Sequence, residues 1–512
     1  MMTHAGGYNS FLPGRGAASR LRRWLAAGLI LALVGSSAGP AYALPENPQL
    51  RHGAANFDWS VTDQLTISQS GAKVIIDWDS FSIDYGETVR FIQSDPGMVA
   101  LNRVTSLGAD YASRILGRLE AGAQVFLVNP NGIVFGPGAQ VDVGALLASN
   151  MDIPNDNFVN GRYTFTGNGA ASGIEIQEGA TLAAGGSSGG GYIVLLAPSV
   201  TNAGQVTAKL GTVAMGAGDQ VTVHLLGGGW VELDINQELA GALLINEASG
   251  ELSADGGLVL LRGGSQGALN LSGAVTAGAV DNSNGSITLT GGDIEIGGRL
   301  EASGNVRMEA GEIRIDGLLE ASWEIEIEAE EIRLGQQGKV ASSTVGRVRL
   351  TAGAGGMTLD GEVSAFGSTP YGPWLWLKSA GPVRQGASGA VKGDRLILEG
   401  DGAYTLTGSG NEVDKISGDA GSIEYTQSGR WLNIEFLGRF PGLRAHSGDL
   451  RVEVSGAGVS FSHPIEAQGT VTLLADTITG AFNEDSPIRG DRIILGPVNE
   501  GDYTWPLMLI AG

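Results

Sequence analysis

The stretch that decides the fold runs from residue 285 to residue 350, where the sequence repeats itself. Three segments can be written above one another: SITLTGGDIEIGGRLEA at 286–302, NVRMEAGEIRIDGLLEA at 305–321 and EIEIEAEEIRLGQQGKVAS at 324–342. Each segment starts 19 residues after the previous one and contains three short runs of alternating apolar and polar residues. A fixed triplet of short strands favours one turn of a three-sided coil over the hairpins of a β-sandwich.

The alternation also predicts how the coil is held together. The apolar residues of each run fall on one side of the strand and the polar residues on the other. Stacking each turn about 4.8 Å above the last pairs equivalent strands in parallel and buries one apolar column. The outward neighbours expected from this stacking are Glu295 beside Arg314, Arg307 beside Glu326, and Glu301 over Glu320 as a like-charge exception. The sequence therefore predicts an all-β parallel β-helix.

The composition excludes several classes of function. The chain has 512 residues, a net charge of -23 and no cysteine, so disulfides and thiolate chemistry are excluded. A strongly acidic chain also lacks the basic face that nucleic-acid binding needs. Its five histidines are too far apart in sequence to form a local metal-binding pair. No cofactor and no metal site are predicted, and the 83 glycines suit the many tight corners of a coil.

The N-terminus is predicted to be a cleaved signal peptide. Residues 1–23 carry four arginines and no acid, an apolar run follows at 24–34, and Ala41-Tyr42-Ala43 has the A-x-A cleavage pattern. The alternative is a membrane anchor, but the apolar run is shorter than the roughly 20 residues that a spanning helix needs. The mature chain is expected to begin at Leu44. The lack of cysteine suits a chain that crosses a second membrane in an extended state.

The most informative motif lies between residues 73 and 150. Residues 73–83 read KVIIDWDSFSI, residues 124–136 read QVFLVNPNGIVFG, and residues 138–149 read GAQVDVGALLAS. These segments resemble the N-terminal secretion domain of filamentous-haemagglutinin-like exoproteins of two-partner secretion. The resemblance covers roughly residues 48–280.

The resemblance implies a right-handed, single-stranded β-helix with an N-terminal cap, recognised by an outer-membrane β-barrel transporter with periplasmic POTRA modules. The residues that match the family's secretion motif are Asn129, Pro130, Asn131, Gly132 and Ile133. Read from the residues alone, Asn-Pro-Asn-Gly is a turn between two apolar strands. Residues 94–98, Ser-Asp-Pro-Gly-Met, depart from an earlier Asn-Pro-Asn-Leu motif of the family, which indicates a divergent subgroup.

Two further residues, Asn102 and Arg103, are predicted to order the cap, with contact to the transporter as the alternative. Ser188 lies in a formal G-x-S-x-G pattern, but a glycine-rich loop without a following helix does not predict a catalytic serine. Trp374 and Trp376 are predicted to cover the side of the coil, with stacking on sugar rings as the alternative. The alternating glutamates of residues 323–334 are expected to form a solvated strand face, with a cation-binding face as the alternative.

The predicted division of the chain is a signal peptide at 1–43, a secretion domain at 44–280, regular 19-residue repeats at 281–365, and a less regular and possibly truncated continuation at 366–512. The favoured function is that of a secreted or surface-associated, non-enzymatic exoprotein, an adhesin-like rod that binds glycans or proteins of host or neighbouring cells. One alternative is a β-helical enzyme acting on polysaccharide, for which a cluster of acids in a groove would be the sign. The other alternative is a haem- or ligand-capture exoprotein.

Overall fold

The computed structural model describes residues 44–169, 172–186, 189–368, 372–480 and 487–498. All of these residues belong to one compact unit. The predicted signal peptide and Ser188 lie outside the described residues.

The described chain is nearly all β-strand, and 41 strands join in a single wound sheet. The strands up to residue 149 are β1 Gln49–His52, β2 Ala55–Asp58, β3 Gln64–Gln69, β4 Lys73–Trp78, β5 Thr88–Ile92, β6 Val99–Val104, β7 Ser113–Ile115, β8 Arg118–Val128, β9 Ile133–Phe135 and β10 Gln140–Ser149. A short 3-10 turn, Ala109–Tyr111, precedes β7, and the short helix α1, Asn155–Val159, follows β10.

The strands of the middle of the chain continue the same coil. They are β11 Tyr163–Thr166, β12 Ile174–Ile176, β13 Thr181–Ala184, β14 Tyr192–Leu196, β15 Ser199–Asn202, β16 Gln205–Ala208, β17 Thr212–Ala217, β18 Gln220–Gly227, β19 Trp230–Gln237, β20 Leu243–Asn246, β21 Glu251–Ser253, β22 Leu258–Gly263, β23 Ala268–Leu271, β24 Ala274–Ala277, β25 Ser286–Thr290, β26 Asp293–Ile296, β27 Arg299–Ala302, β28 Val306–Ile315, β29 Leu318–Ala321, β30 Glu324–Leu334, β31 Lys339–Ser342, β32 Arg347–Leu359 and β33 Glu362–Ala365.

The strands after residue 372 still pair mostly in parallel, although their spacing along the chain is less even. They are β34 Trp374–Ser379, β35 Val383–Gln385, β36 Ala390–Leu406, β37 Glu412–Ser428, β38 Leu432–Ile434, β39 Phe436–Leu437, β40 Phe440–Pro441, β41 Leu443–Ala445, β42 Leu450–Phe461, β43 Ile465–Ala467, β44 Thr470–Gly480, β45 Ile488–Arg489 and β46 Arg492–Gly496.

Each turn of the coil passes through three stacks of parallel strands. One stack contains, in order, β4, β6, β8, β10, β14, β17, β22, β25, β28, β30, β32, β34, β36 and β37. Long strands such as β28 and β30 bend around a corner and contribute to two stacks. The inward side chains form one continuous apolar column from Leu65 to Ala475. The predicted parallel β-helix is confirmed.

The 19-residue register is confirmed residue by residue. Ile287 pairs with Val306, which in turn pairs with Ile325. Within the third repeat, two extra residues precede the last strand, and Val340 still pairs with Leu319 of the turn before. The 19-residue repeat therefore predicts the register of the strands as well as the fold.

The outward neighbours also follow the prediction, with one refinement. Arg307 lies 3.3 Å from Glu326, and the two like charges of Glu301 and Glu320 are adjacent across the sheet. Arg314 is opposite Glu295 in register, but its guanidinium also forms an ion pair with Asp316, which directly follows β28. Asp316 is only two residues from Arg314 in the sequence, so this competing partner could be anticipated.

The alternating glutamates of β30 form a solvated face, as predicted. Their apolar neighbours are buried, whereas Glu328 and Glu330 are exposed. Among the described residues, no group of three or more histidine and acidic side chains is arranged to hold a metal ion.

The N-terminal cap is made of strands that run against the coil. β1 pairs antiparallel with β4, and β2 pairs antiparallel with β3. Phe57 of β2 packs edge-on against Trp78, and that ring packs against Phe81. The first turn of the coil is therefore covered by antiparallel strands and aromatic side chains.

Two additions to the coil were not predicted. An outer antiparallel sheet of β11, β18 and β19 packs over the coil through a second hydrophobic cluster that includes Phe126 and Phe158. Further along, the two-stranded hairpin β39–β40 lays Phe440 against Trp376, with ring centroids 6.4 Å apart. Trp374 packs in the same small cluster, so both tryptophans cover the side of the coil as predicted.

No described helix is long and apolar enough to cross a membrane.

Candidate functional site at the Asn129 corner

The corner between β8 and β9 is a tight turn whose geometry follows from its four residues. The amide of Gly132 donates to the carbonyl of Asn129 at 3.0 Å, and the amide of Asn131 donates to Asn129 Oδ1 at 2.9 Å. Gly132 has a φ of 104°, a region that side-chain-bearing residues rarely adopt. A Cβ at Gly132 would also lie 3.1 Å from the carbonyl oxygen of Gly173. The turn predicted from Asn-Pro-Asn-Gly is present.

The Asn129 side chain is completely buried and uses all of its hydrogen-bonding capacity. Its Nδ2 donates to the carbonyl of Tyr111 at 2.8 Å and to Ser113 Oγ at 2.9 Å. Its Oδ1 accepts from both the backbone and the side-chain nitrogens of Asn131. Only a carboxamide in this orientation supplies two donors and a double acceptor, so residue 129 is specified chemically as well as sterically.

Asn131 extends the same network towards the surface. Its Nδ2 donates to the carbonyl of Ser106 at 2.8 Å, and its Oδ1 accepts from the amide of Gly108 at 2.9 Å. The two asparagines together fasten the loop of residues 105–112, which joins β6 to β7. This loop is mostly exposed and Leu107 points to solvent, so these bonds add to the few contacts that hold it, such as that of Thr105 with the Trp78 carbonyl.

The other members of the motif bind the corner to the next turn of the coil. The carbonyl of Pro130 accepts from Ser172 Oγ at 2.7 Å. The amide of Ile133 donates to the carbonyl of Gly173 at 3.1 Å, and the Ile133 side chain is buried in the main core. Three segments that are far apart in sequence meet at this corner.

Asn102 is a second buried asparagine, one turn of the coil earlier. Its Oδ1 accepts from Trp78 Nε1 at 3.1 Å, and its Nδ2 donates to the carbonyls of Ala100 and Phe126 at 3.3 and 3.4 Å. Asn102 therefore supplies the hydrogen-bond acceptor for the buried indole nitrogen of Trp78. It is not accessible to a partner in the folded protein.

Arg103 holds the segment that leads into α1. Its Nε donates to Asp152 Oδ1 at 2.8 Å, and its guanidinium also donates to the Ile153 carbonyl and to Asn155 Oδ1. The guanidinium lies 3.3 Å from Asp77, whose other oxygen binds Arg51 of β1. Arg103 therefore links the α1 segment to the capped end of the coil.

Lys73 fastens the other end of α1 and was missed by the sequence analysis. Its Nζ donates to the carbonyls of Phe158 and Val159 at 2.8 and 3.1 Å, and it lies over the rings of Phe158 and Tyr163. Burial lowers the pKa of Lys73. Nothing in the sequence pairs residue 73 with residue 158, since the contact is created by the coil.

The divergent window at residues 94–98 forms a turn with the same two hydrogen bonds. The amide of Gly97 donates to Asp95 Oδ1 at 2.7 Å, and the amide of Met98 donates to the carbonyl of Asp95 at 3.0 Å. Asp95, Pro96 and Gly97 are all exposed, in contrast to the buried Asn129.

With the coil, its cap and this corner described, comparison with known proteins identifies the family. A family model for the TPS secretion domain matches residues 47–307, just over half of the chain. The chain belongs to the two-partner secretion family. It is therefore an exoprotein of a class that Gram-negative bacteria export by way of the periplasm.

The similar curated proteins are both named heme/hemopexin-binding protein and come from Haemophilus influenzae. One is 35% identical over 140 residues, which is 27% of this chain and 15% of the relative. The other, from strain Rd, is 31% identical over 206 residues, which is 38% of this chain and 22% of the relative. The chain thus matches less than a quarter of the length of either relative.

A solved structure with the same fold is the secretion domain of HMW1 from Haemophilus influenzae. It is 19% identical to this chain with a TM-score of 0.50, and the match covers 88% of this chain and 100% of that one. At this identity the likeness supports the fold, and it agrees with the coil of parallel strands seen here.

Two described histidines lie beside acidic side chains, and His446 contacts two of them, with its Nε2 3.4 Å from Asp401. His224 Nε2 lies 2.8 Å from Asp234, and His446 Nδ1 lies 2.7 Å from Asp419. Trp376 Nε1 donates to Glu399, so that indole binds within the chain rather than facing a ligand. The features with the most specific geometry among the described residues are therefore the Asn129 corner and the Arg103 network.

Proposed function

We propose that this exoprotein leaves the cell through a dedicated outer-membrane β-barrel transporter with POTRA modules, and that the Asn129 corner supports export by enabling folding outside the cell. The observation that carries this proposal is the complete burial of Asn129 together with its four hydrogen bonds. A transporter could touch this side chain only before the coil has formed. The corner therefore acts in export in one of two ways. The transporter binds it while the segment is still unfolded, or the corner helps the coil to fold.

The physical reason for a folding role is that a parallel coil must be started. Each strand of a solenoid is stabilised mainly by its neighbours, so the first turns lack a template. The Asn129 corner joins the loop of residues 105–112 in the preceding turn to β9 and to Gly173 in the following turn through hydrogen bonds. Later turns can then fold onto the corner in order. The folded coil outside the cell prevents the chain from sliding back through the transporter.

The test is to measure secretion and stability on the same variants. We expect Asn129→Ala to lower the amount of protein in the medium and to leave material in the periplasm. The matched control is Asn305→Ala, because Asn305 lies at an exposed corner of the regular repeats. An undiminished rate of release for Asn129→Ala would contradict the proposal.

For the exported product, we infer an adhesin-like role in which the coil binds surface molecules without catalysis. The regular ladder of residues 286–365 supports this role, because equivalent outward side chains repeat at every turn and solenoids use such extended faces for binding. Purified mature protein applied to cells and to arrays of glycans is expected to bind saturably. No binding to either would remove this inference while leaving the export proposal intact.

Haem or hemopexin capture is a second candidate, favoured by the names of the two Haemophilus relatives. If it applies, the purified chain will bind hemopexin in a pull-down or shift the haem absorption band with a saturable titration. Failure in both assays would eliminate this candidate.

A further inference from the structure

The backbone nitrogen of Leu44 meets a buried carboxylate. It donates to Glu87 Oε2 at 3.0 Å, and the amide of Asp84 donates to the same oxygen at 2.8 Å. Glu87 is only 8% exposed. Glu87 is far from Leu44 in sequence, so the contact forms only when the first turn of the coil has closed.

The position of this nitrogen is fixed by its surroundings. The Leu44 side chain packs against the main core, and Pro45 is buried. The amide of Glu46 donates to the carbonyl of Ser80 at 3.0 Å, which pairs this segment with the coil. The contact between Leu44 and Glu87 is therefore part of the packed cap.

Glu87 also ties the first turn to the next one. Its amide donates to the carbonyl of Asp84 at 3.0 Å, and its carbonyl accepts from the amide of Arg118 at 2.9 Å. Among the described residues, the hydrogen bonds to its carboxylate come from the backbone amides of Leu44 and Asp84. A buried carboxylate that is bound only by neutral amides is costly, and a cationic donor at the same place would stabilise it.

We propose that Glu87 is the binding site for the α-ammonium group of Leu44, which signal peptidase creates when it removes the leader. Water hydrolyses the Ala43–Leu44 peptide bond, leaving a carboxylate on Ala43 and a protonated amine on Leu44. The neutral amide donor at Glu87 then becomes a cation, and an ion pair closes the cap. This inference rests on the predicted cleavage and export of the chain, but not on the role of the Asn129 corner.

The consequence is that leader removal and folding are coupled. Before cleavage, Leu44 offers Glu87 only an amide hydrogen, so the first turn of the coil is less stable. After cleavage, the same atom carries a charge next to a buried carboxylate. The precursor thus remains easier to keep unfolded than the mature chain.

The test uses the purified mature chain, residues 44–512, released from a fusion that is cleaved directly before Leu44. Chains with a free or an acetylated Leu44 amine are compared in two backgrounds, wild type and Glu87→Gln. We expect acetylation to lower the midpoint of thermal unfolding of the cap by about 5 °C in the wild type and to change it little in Glu87→Gln. An equal effect of acetylation in the two backgrounds would overturn the proposal.

Glu46→Gln is the matched control, since Glu46 is an exposed carboxylate two residues from the new N-terminus. In that variant acetylation should act as it does in the wild type. If acetylation instead loses its effect in Glu46→Gln, the charge interaction is not specific to Glu87 and the proposal fails.

A second measurement needs no substitution and covers the case in which Glu87→Gln does not fold. The rate of acylation of the terminal amine is compared between the wild-type chain and a chain with one glycine added before Leu44. We expect the buried, ion-paired amine to react several-fold more slowly, and equal rates would refute the ion pair. Sequencing of the secreted protein gives an independent check, because any first residue other than Leu44 ends the proposal even when export is normal.

Discussion

Two turns of this protein share the same pair of hydrogen bonds and differ almost entirely in their surroundings. In Asp95-Pro96-Gly97-Met98 and in Asn129-Pro130-Asn131-Gly132, a side-chain oxygen at the first position accepts from the third amide, and the first carbonyl accepts from the fourth. Asp95 is exposed, whereas Asn129 is completely buried.

The difference teaches which part of the motif is local and which part is tertiary. Either an aspartate or an asparagine can accept the hydrogen bond that makes the turn. Only an asparagine can also donate, and the Asn129 Nδ2 donates to both Tyr111 and Ser113. The turn is therefore specified by the proline and the acceptor, while the packing of the corner is specified by the amide.

Exchanging the two first residues gives the largest expected effect. Asn129→Asp keeps the shape but replaces two donors with a buried negative charge beside the Tyr111 carbonyl. We expect a loss of about 3–5 kcal/mol in the local free energy of unfolding, the usual cost of an unpaired buried charge. Hydrogen exchange of the loop of residues 105–112 is the direct measurement. Protection equal to that of the wild type would show that the corner tolerates a charge.

Asn129→Ala is expected to have the next largest effect. It removes all four hydrogen bonds and leaves Ser113 Oγ and the Asn131 amide without these partners, for a loss of about 2–4 kcal/mol. Asn131→Ala should cost less, because Asn131 is only partly buried and water can replace some of its bonds. If Asn131→Ala exposes the loop to proteolysis more than Asn129→Ala does, the proposed hierarchy within the motif is wrong.

Gly132→Ala tests the backbone of the same corner. The φ of 104° and the approach of Gly173 to within 3.1 Å of the added Cβ predict a loss of about 1–3 kcal/mol. Gly122→Ala is the control, since Gly122 is an exposed glycine without a positive φ and with only ordinary contacts around an added Cβ. Chemical denaturation should separate the two variants, and equal midpoints would show that the corner can relax around a side chain.

The sequence predicted the regular part of the molecule far better than its corners. The pairing of Ile287 with Val306 could be read from the 19-residue repeat, because identical turns stack with identical register. The turn at Asn129 could also be read, because its residues are local. The partners of Asn129 could not, since Tyr111 and Ser113 approach it only through the coil.

The same limit explains the additions to the coil that were missed. The outer sheet does have a local signal, because Gly227, Gly228 and Gly229 form the turn between β18 and β19 and all three have positive φ. The sequence contains no comparable sign that this outer sheet packs against Phe126. The alternating pattern predicts that a side chain on the outer face of a coil strand is exposed to solvent. Only the structure shows that another segment covers it.

Asp95→Asn is the smallest expected change and the most informative for export. The exposed turn keeps its acceptor, so stability should change by less than about 0.5 kcal/mol. Secretion should then also be unchanged if export depends on folding of the coil. A marked change in secretion with unaltered unfolding would mean that the transporter reads this exposed turn directly. In that case the buried Asn129 corner would guide folding, and the transporter would recognise the exposed turn at residues 94–98.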